Sequence, residues 1–136
     1  MDPTDRVSVG LGARRGAGAE EVLSVIAASL ASAGLPPDAV AELATVAGKA
    51  HEPGLRRAAQ RLGVPLRAYG AAELAAVPVP HPAPAAARAV GTPSVAEAAA
   101  LLSAGPDAEL VVAKLKSTPE AGGSRVTCAV AQRRAR

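Results

Sequence analysis

The residues able to do chemistry in this 136-residue chain fall into four short motifs. The first is Gly10-Leu11-Gly12-Ala13-Arg14-Arg15-Gly16, a glycine-rich turn carrying two guanidinium groups. Glycines let a ligand approach the backbone, a following helix offers free N–H groups, and arginine forks pair with carboxylate or phosphate. The alternative is a tight turn with solvated arginines, and residue chemistry alone leaves the two even. The second motif runs Thr45-Val46-Ala47-Gly48-Lys49-Ala50-His51-Glu52-Pro53-Gly54, where a strand feeds a helix. Lys49, His51 and Glu52 are able to bind anions or move protons. His51 reads more simply as a lone loop imidazole, and Glu52 as an acid at a helix start. The third is Val90-Gly91-Thr92-Pro93-Ser94-Val95-Ala96-Glu97. Ser94 and Glu97 have capping-box spacing, which suffices to explain both, although Thr92 and Ser94 also open a helix whose N-terminus suits an anion. The fourth, Lys114-Leu115-Lys116-Ser117, puts two lysines on one face of a strand by alternation, either facing a ligand or forming a solvated edge.

Several chemistries find no support. A dinucleotide fingerprint needs G-x-G-x-x-G and an acid after the second strand. Here the spacing is G-x-G-x-x-x-G with no such acid. His51, His81 and Cys128 lack metal-ligand spacing, so no metal site is expected. There is no nucleophile elbow, phosphate-binding loop or paired-carboxylate motif.

The elements that must position these motifs follow from hydrophobic pattern and turn chemistry. Val7, Val9 and Leu11 alternate with Arg6, Ser8 and Gly10, which predicts a first strand. A helix is expected over Ala19 to Ala33, with Glu20 and Glu21 in its first turn and Val22, Leu23, Ile26 and Leu30 on one face. Gly34 and Pro36-Pro37 stop it. Leu43 to Ala47 reads as a second strand, Pro53 to Leu62 as a helix ended by Gly63, and Leu66 to Tyr69 as a third strand. Residues 71–76 suit a short helix. Val77 to Pro84 holds four of the twelve prolines and reads as a stiff loop, either ligand-facing or a plain connector. Ser94 to Leu102 is a helix, and Leu110 to Leu115 and Arg125 to Ala131 form a terminal hairpin. The whole is an α/β fold, a single three-layer domain with a mostly parallel sheet between helices and an antiparallel C-terminal hairpin. Its expected bounds are residues 6–131, between a disordered tail at 1–5 and a basic tail at 132–136.

Composition bounds the partners. Nearly half the residues are hydrophobic, yet there is no Phe or Trp and one Tyr. Ala, Leu and Val must form the core, which requires close backbone approach. Of the net charge of +3, Arg133, Arg134 and Arg136 account for all; the remaining basic and acidic residues balance at 12 each. A basic tail without aromatic stacking groups argues against nucleic acid. No apolar run is long enough to span a bilayer and no secretory leader is evident. The single cysteine suits a cytoplasmic protein.

Taken in order, the motifs resemble the family formed by CobE and the C-terminal domain of CbiG. Its G-x-G-C-R-R-G pattern is matched by Gly10, Gly12, Arg14, Arg15 and Gly16, and its T-x-x-x-K-x-x-E-x-G by Thr45, Lys49, Glu52 and Gly54. An L-G-V-P-L stretch falls at Leu62 to Leu66, A-E-L-A-A-V-P-V-P at Ala72 to Pro80, G-T-P-S-V-A-E-A-A-A at Gly91 to Ala100, and K-x-K-S at Lys114 to Ser117. The likeness runs from about residue 6 to 131. Two departures stand out: the usual Cys of the first motif is Ala13, and the Ser or Thr often found before the first helix is Gly18. The resemblance implies a role in cobalamin biosynthesis at the corrin ring-contraction stage, where CbiG-like proteins open a lactone on a cobalt-precorrin with loss of acetaldehyde. It implies a corrin or precorrin partner, and other cobalamin-biosynthesis enzymes as further partners. Cobalt would enter only within such a ligand, with no cofactor of the protein's own. Arg14, Arg15, Lys49, Lys114 and Lys116 suit the carboxylates of such a macrocycle. For a hydrolase, Glu52 is the candidate general base; a non-catalytic corrin-binding protein and, more remotely, a nucleotide-binding module are the alternatives.

Overall fold

The computed structural model describes residues 6–14, 16–77, 95–116 and 126–133, with the backbone alone for Lys114, Lys116 and Arg133. Strand β1 (Val7–Ala13) leads into α1 (Ala19–Ser32). A short 3-10 turn precedes β2 (Val40–Val46), and a second, Ala47–Lys49, precedes α2 (Pro53–Leu62). Then come β3 (Leu66–Tyr69), α3 (Ala71–Ala75), α4 (Val95–Ala104), β4 (Ala108–Lys116) and β5 (Val126–Arg133). The proline-rich stretch from Pro78, the hairpin loop, and the terminal residues 1–5 and 134–136 lie outside the described residues.

The five strands form one sheet in the order β3-β2-β1-β5-β4. β1 pairs with β2, and β2 with β3, in parallel. β5 runs antiparallel to both β1 and β4. Four strands therefore point one way and β5 opposes them, as expected for a mostly parallel sheet carrying a terminal hairpin. The hairpin's second strand lies inside the sheet against β1, with β4 at the edge. β5 also continues two residues into the expected basic tail, because Gln132 still pairs with Val7. β2 begins three residues earlier than its apolar run, since Val40 pairs with Val7.

Helices cover both faces, and each face is built differently. Under α1 and α2 the sheet presents Val7, Val9, Leu11, Leu43, Val126, Cys128 and Val130, which meet Val22, Val25, Ile26, Leu30, Leu55 and Ala58. Under α4 it presents Ala44, Ala129 and Ala131, facing Ala96, Ala98, Ala99 and Ala100. Gly10 lies on this second face. A Cβ built there would stand 1.9 Å from the Ala96 carbonyl oxygen and 2.5 Å from the Ala100 nitrogen. Only hydrogen at this position lets the helix backbone rest on the strand. A core without Phe or Trp thus gains its contacts by bringing backbones together, which raises the density of dispersion contacts per residue. Glu97 is completely buried in the first turn of α4; its capping-box partner Ser94 lies outside the described residues.

Candidate functional site

The parallel pairing of β1 with β2 fixes where the motifs meet. The chain leaves β1 through residues 14–18 and leaves β2 through residues 47–52, at the same sheet edge, as parallel neighbours must. Three contacts lock the two loops together. The Gly16 amide donates to Glu52 Oε1 at 3.0 Å. The buried Thr45 hydroxyl donates to the Leu11 carbonyl at 2.7 Å, just beyond the last registered β1–β2 pair, Gly10 with Ala44. Gly54, in the first turn of α2, sits so close to the first loop that a Cβ would stand 2.1 Å from the Ala17 carbonyl oxygen. Within the loops, the Ala17 amide donates to the Arg14 carbonyl at 3.1 Å and the Glu52 amide to the Lys49 carbonyl at 3.0 Å.

A cavity of about 300 Å³ lies in this angle, lined by residues 16–19, Pro53, Gly54 and Arg57. Both α1 and α2 begin on its wall. Neither start is closed by a side-chain cap: the N-cap positions are Gly18, which has no side chain, and Glu52, whose carboxylate makes no cap bond to α2. The positive ends of two helix dipoles therefore face one small space. α4 starts at the same edge on the opposite face, where Val95 would meet a Cβ on Gly12 at 3.7 Å.

The expected site residues separate on this frame. Arg14 is exposed, Gly16 takes φ +84° in the turn, and Lys49 is half-buried. All three belong to the joined loops. Glu52 joins them in a different capacity from a free base, since one carboxylate oxygen accepts the Gly16 N–H. Gly10 and Gly12 lie within β1, each with a packing neighbour where a side chain would stand. Gly10 is sealed beneath α4, and a Cβ on Gly12 would stand 2.7 Å from Thr127 Oγ1. Both glycines make room for packing, because β1 is a central strand covered on both faces. Lys116 pairs with Thr127, which pairs with Gly12, so its backbone reaches the same sheet edge on β4. The β4–β5 register shifts between Val112 and Leu115. Arg15, Thr92 and Ser94 lie outside the described residues.

One residue at the joined loops lies outside the motifs, and another lies inside one but has a role its motif does not reveal. Arg57 lines the cavity one helical turn beyond Pro53, yet in sequence it is one of several exposed polar residues on α2. Thr45 ties the two strands through a buried hydrogen bond that only their parallel pairing creates. Cys128 is excluded as a nucleophile: it is fully buried, and desolvation pushes its thiol up to about 12, against a weaker lowering by a hydrogen bond with Ser29. No group of three or more His, Cys, Asp or Glu side chains is placed to hold a metal among the described residues. A larger cavity of about 640 Å³ lies between α3 and the end of α4, lined mainly by apolar side chains such as Leu101, Leu102 and Val77. Its charged lining residue is the acid Glu73, the wrong sign for a carboxylate ligand.

The fold and the joined loops define a class: a one-sheet α/β domain whose basic loops meet at the edge of parallel strands. The model of the family "Cobalamin synthesis G C-terminus" matches residues 7–131, and the chain belongs to that family. Protein CobE of Sinorhizobium sp. is 40% identical over 68 residues, covering 50% of this chain and 44% of that protein. The crystal structure of CobE, described as a protein from the cobalamin (vitamin B12) biosynthetic pathway, superposes with a TM-score of 0.81. It is 33% identical, and the match covers 93% of each chain. The cobalamin biosynthesis protein chiG from Agrobacterium tumefaciens gives a TM-score of 0.69 at 32% identity, covering 93% of this chain and 97% of that one. The expected family and α/β architecture are both met. The chain is a CobE- and CbiG-like protein of cobalamin biosynthesis. Among the described residues, no helix is long and apolar enough to cross a membrane.

Proposed function

We propose that this chain binds a corrin-ring intermediate through its free acetate and propionate carboxylates, at the ring-contraction stage, and acts as a holding or transfer protein. The observation that carries this reading is the Gly16–Glu52 hydrogen bond, which joins the arginine loop and the lysine loop at one sheet edge. Arg14 and Lys49 then serve a single polyanionic ligand, and charge-assisted pairs of this kind are the stronger hydrogen bonds. The same bond favours holding over hydrolysis. A general base needs its carboxylate directed at water, whereas Glu52 spends one oxygen on fixing the neighbouring loop. Ala13 in place of the usual family cysteine removes a thiol from the loop as well.

The test is an absorbance titration with cobyrinic acid, a corrin with free carboxylate side chains, alongside an acetaldehyde assay with the lactone intermediate. Saturable binding without acetaldehyde release is the expected result. Acetaldehyde formation that disappears in Glu52→Gln would establish the hydrolase reading instead. Absence of binding at low salt would remove the corrin reading.

A further inference from the structure

Gly18 lines the cavity between the joined loops, and nothing among the described residues requires glycine there. Its backbone is ordinary extended chain, φ −84° and ψ 157°, and an added Cβ would meet nothing within 4 Å. Gly54, on the opposite wall, is glycine for a packing reason, and that close approach brings the starts of α1 and α2 side by side. The result is a recess whose walls are mostly backbone and small side chains, with one cationic side chain, Arg57, among the described residues. Arg56, its neighbour on α2, is not among the residues that line it. The volume, about 300 Å³, is at the bottom of the range for small-molecule sites. That suits a side arm of a macrocycle and excludes the ring itself. Three acids share this region, Glu20, Glu21 and Glu52; Glu52 accepts from the Gly16 amide and Glu20 pairs with Arg61.

We propose that this recess is a carboxylate subsite, in which Arg57 pairs with one side-arm carboxylate of the bound macrocycle. The proposal rests on the corrin-binding reading above and adds to it a residue outside the motifs and a chemical preference: the ionised acid over its neutral ester. The ring lies outside the recess, and the arm enters past Gly18.

Titrations with cobyrinic acid and with its methyl ester test the subsite at low ionic strength, followed by absorbance and by the backbone amide resonances of Gly18, Ala19 and Gly54. Arg57→Ala is expected to weaken cobyrinic acid about tenfold, a charge-assisted hydrogen bond converted to affinity. Arg57→Lys should recover part of that loss, and Arg56→Ala should bind like the wild type. Gly18→Asp places a carboxylate at the cavity lining. It should bind still more weakly while melting no lower than the wild type, because Asp is a favoured N-cap. The three amides should move with the acid and stay still with the ester. Wild-type affinity in both Arg57→Ala and Gly18→Asp, with the amides unmoved, overturns the subsite and leaves the corrin-binding reading intact. If the wild-type protein binds neither compound, both fall together.

Discussion

The two halves of the glycine-rich stretch from Gly10 to Gly18 look alike in sequence and do opposite things. Gly10 and Gly12 sit within β1, and each lacks a side chain because α4 or Thr127 occupies the space where it would be. Gly16 and Gly18 lie past the strand, and an added Cβ at either would meet nothing within 4 Å. The first pair lets a helix approach the sheet. The second pair leaves backbone open at the cavity. A glycine-rich turn between strand and helix therefore signals either close packing or open backbone, and its two halves here show one of each.

Stability measurements offer the sharpest way to break that contrast. Gly10→Ala forces a methyl group into the Ala96 carbonyl and is expected to cost at least ~1–3 kcal/mol by overpacking, read as a lower urea midpoint. A tolerated Gly10→Ala would mean that α4 does not rest on the strand backbone. Thr45→Val, which leaves the buried Leu11 carbonyl of the first half without its hydroxyl donor, should cost ~1–3 kcal/mol. Gly16→Ala meets no clash and should lose only ~1–2 kcal/mol through its left-handed φ. Binding of cobyrinic acid should suffer more in this variant than in the others relative to its stability loss. Arg14→Ala should shift stability by less than about 0.5 kcal/mol while weakening the ligand, because the side chain is exposed. Equal effects of Gly16→Ala and Gly10→Ala on stability would erase the distinction between the halves.

The sealed half makes a pH prediction through Cys128, the partner of Leu11 in the β1–β5 ladder. Its pKa is raised from 9.0 to about 12 in the folded protein, chiefly by burial. The unfolded chain thus releases this proton first. The stability associated with the thiol is full below about pH 9 and declines as the pH rises toward 12. A thiol reagent at pH 8 should react at a rate set by unfolding. Rapid labelling of the native protein would show that this face of the sheet opens readily.

Much of the architecture was readable because local chemistry dictated it. Pro53 and Gly63 bracket α2 at the expected residues, and β3 falls on Leu66–Tyr69 as its apolar run requires. The shared edge of the two loops followed from strand, helix, strand connectivity, which makes β1 and β2 parallel neighbours. Other features were hidden because they depend on partners distant in sequence. Nothing local places β5 between β1 and β4, since a terminal hairpin can join a sheet by either of its strands. Glu97 reads as a capping-box acid, and its complete burial is not visible in that spacing. Arg57 gains significance only from the packing of α2 against the first loop.

By itself, the sequence determined the element order, the mostly parallel sheet, the family, and a core that would have to bring backbones together for want of aromatic side chains. Those properties rest on periodicity, on turn residues and on side-chain volume, all of which act over a few neighbouring positions. Only the tertiary structure decided which glycines face α4 and which face the cavity. It alone decided that Glu52 holds Gly16 and that Arg57 lines the recess. Each of these is a contact between segments more than 30 residues apart, and its geometry exists only once β1 and β2 have paired and their helices have docked.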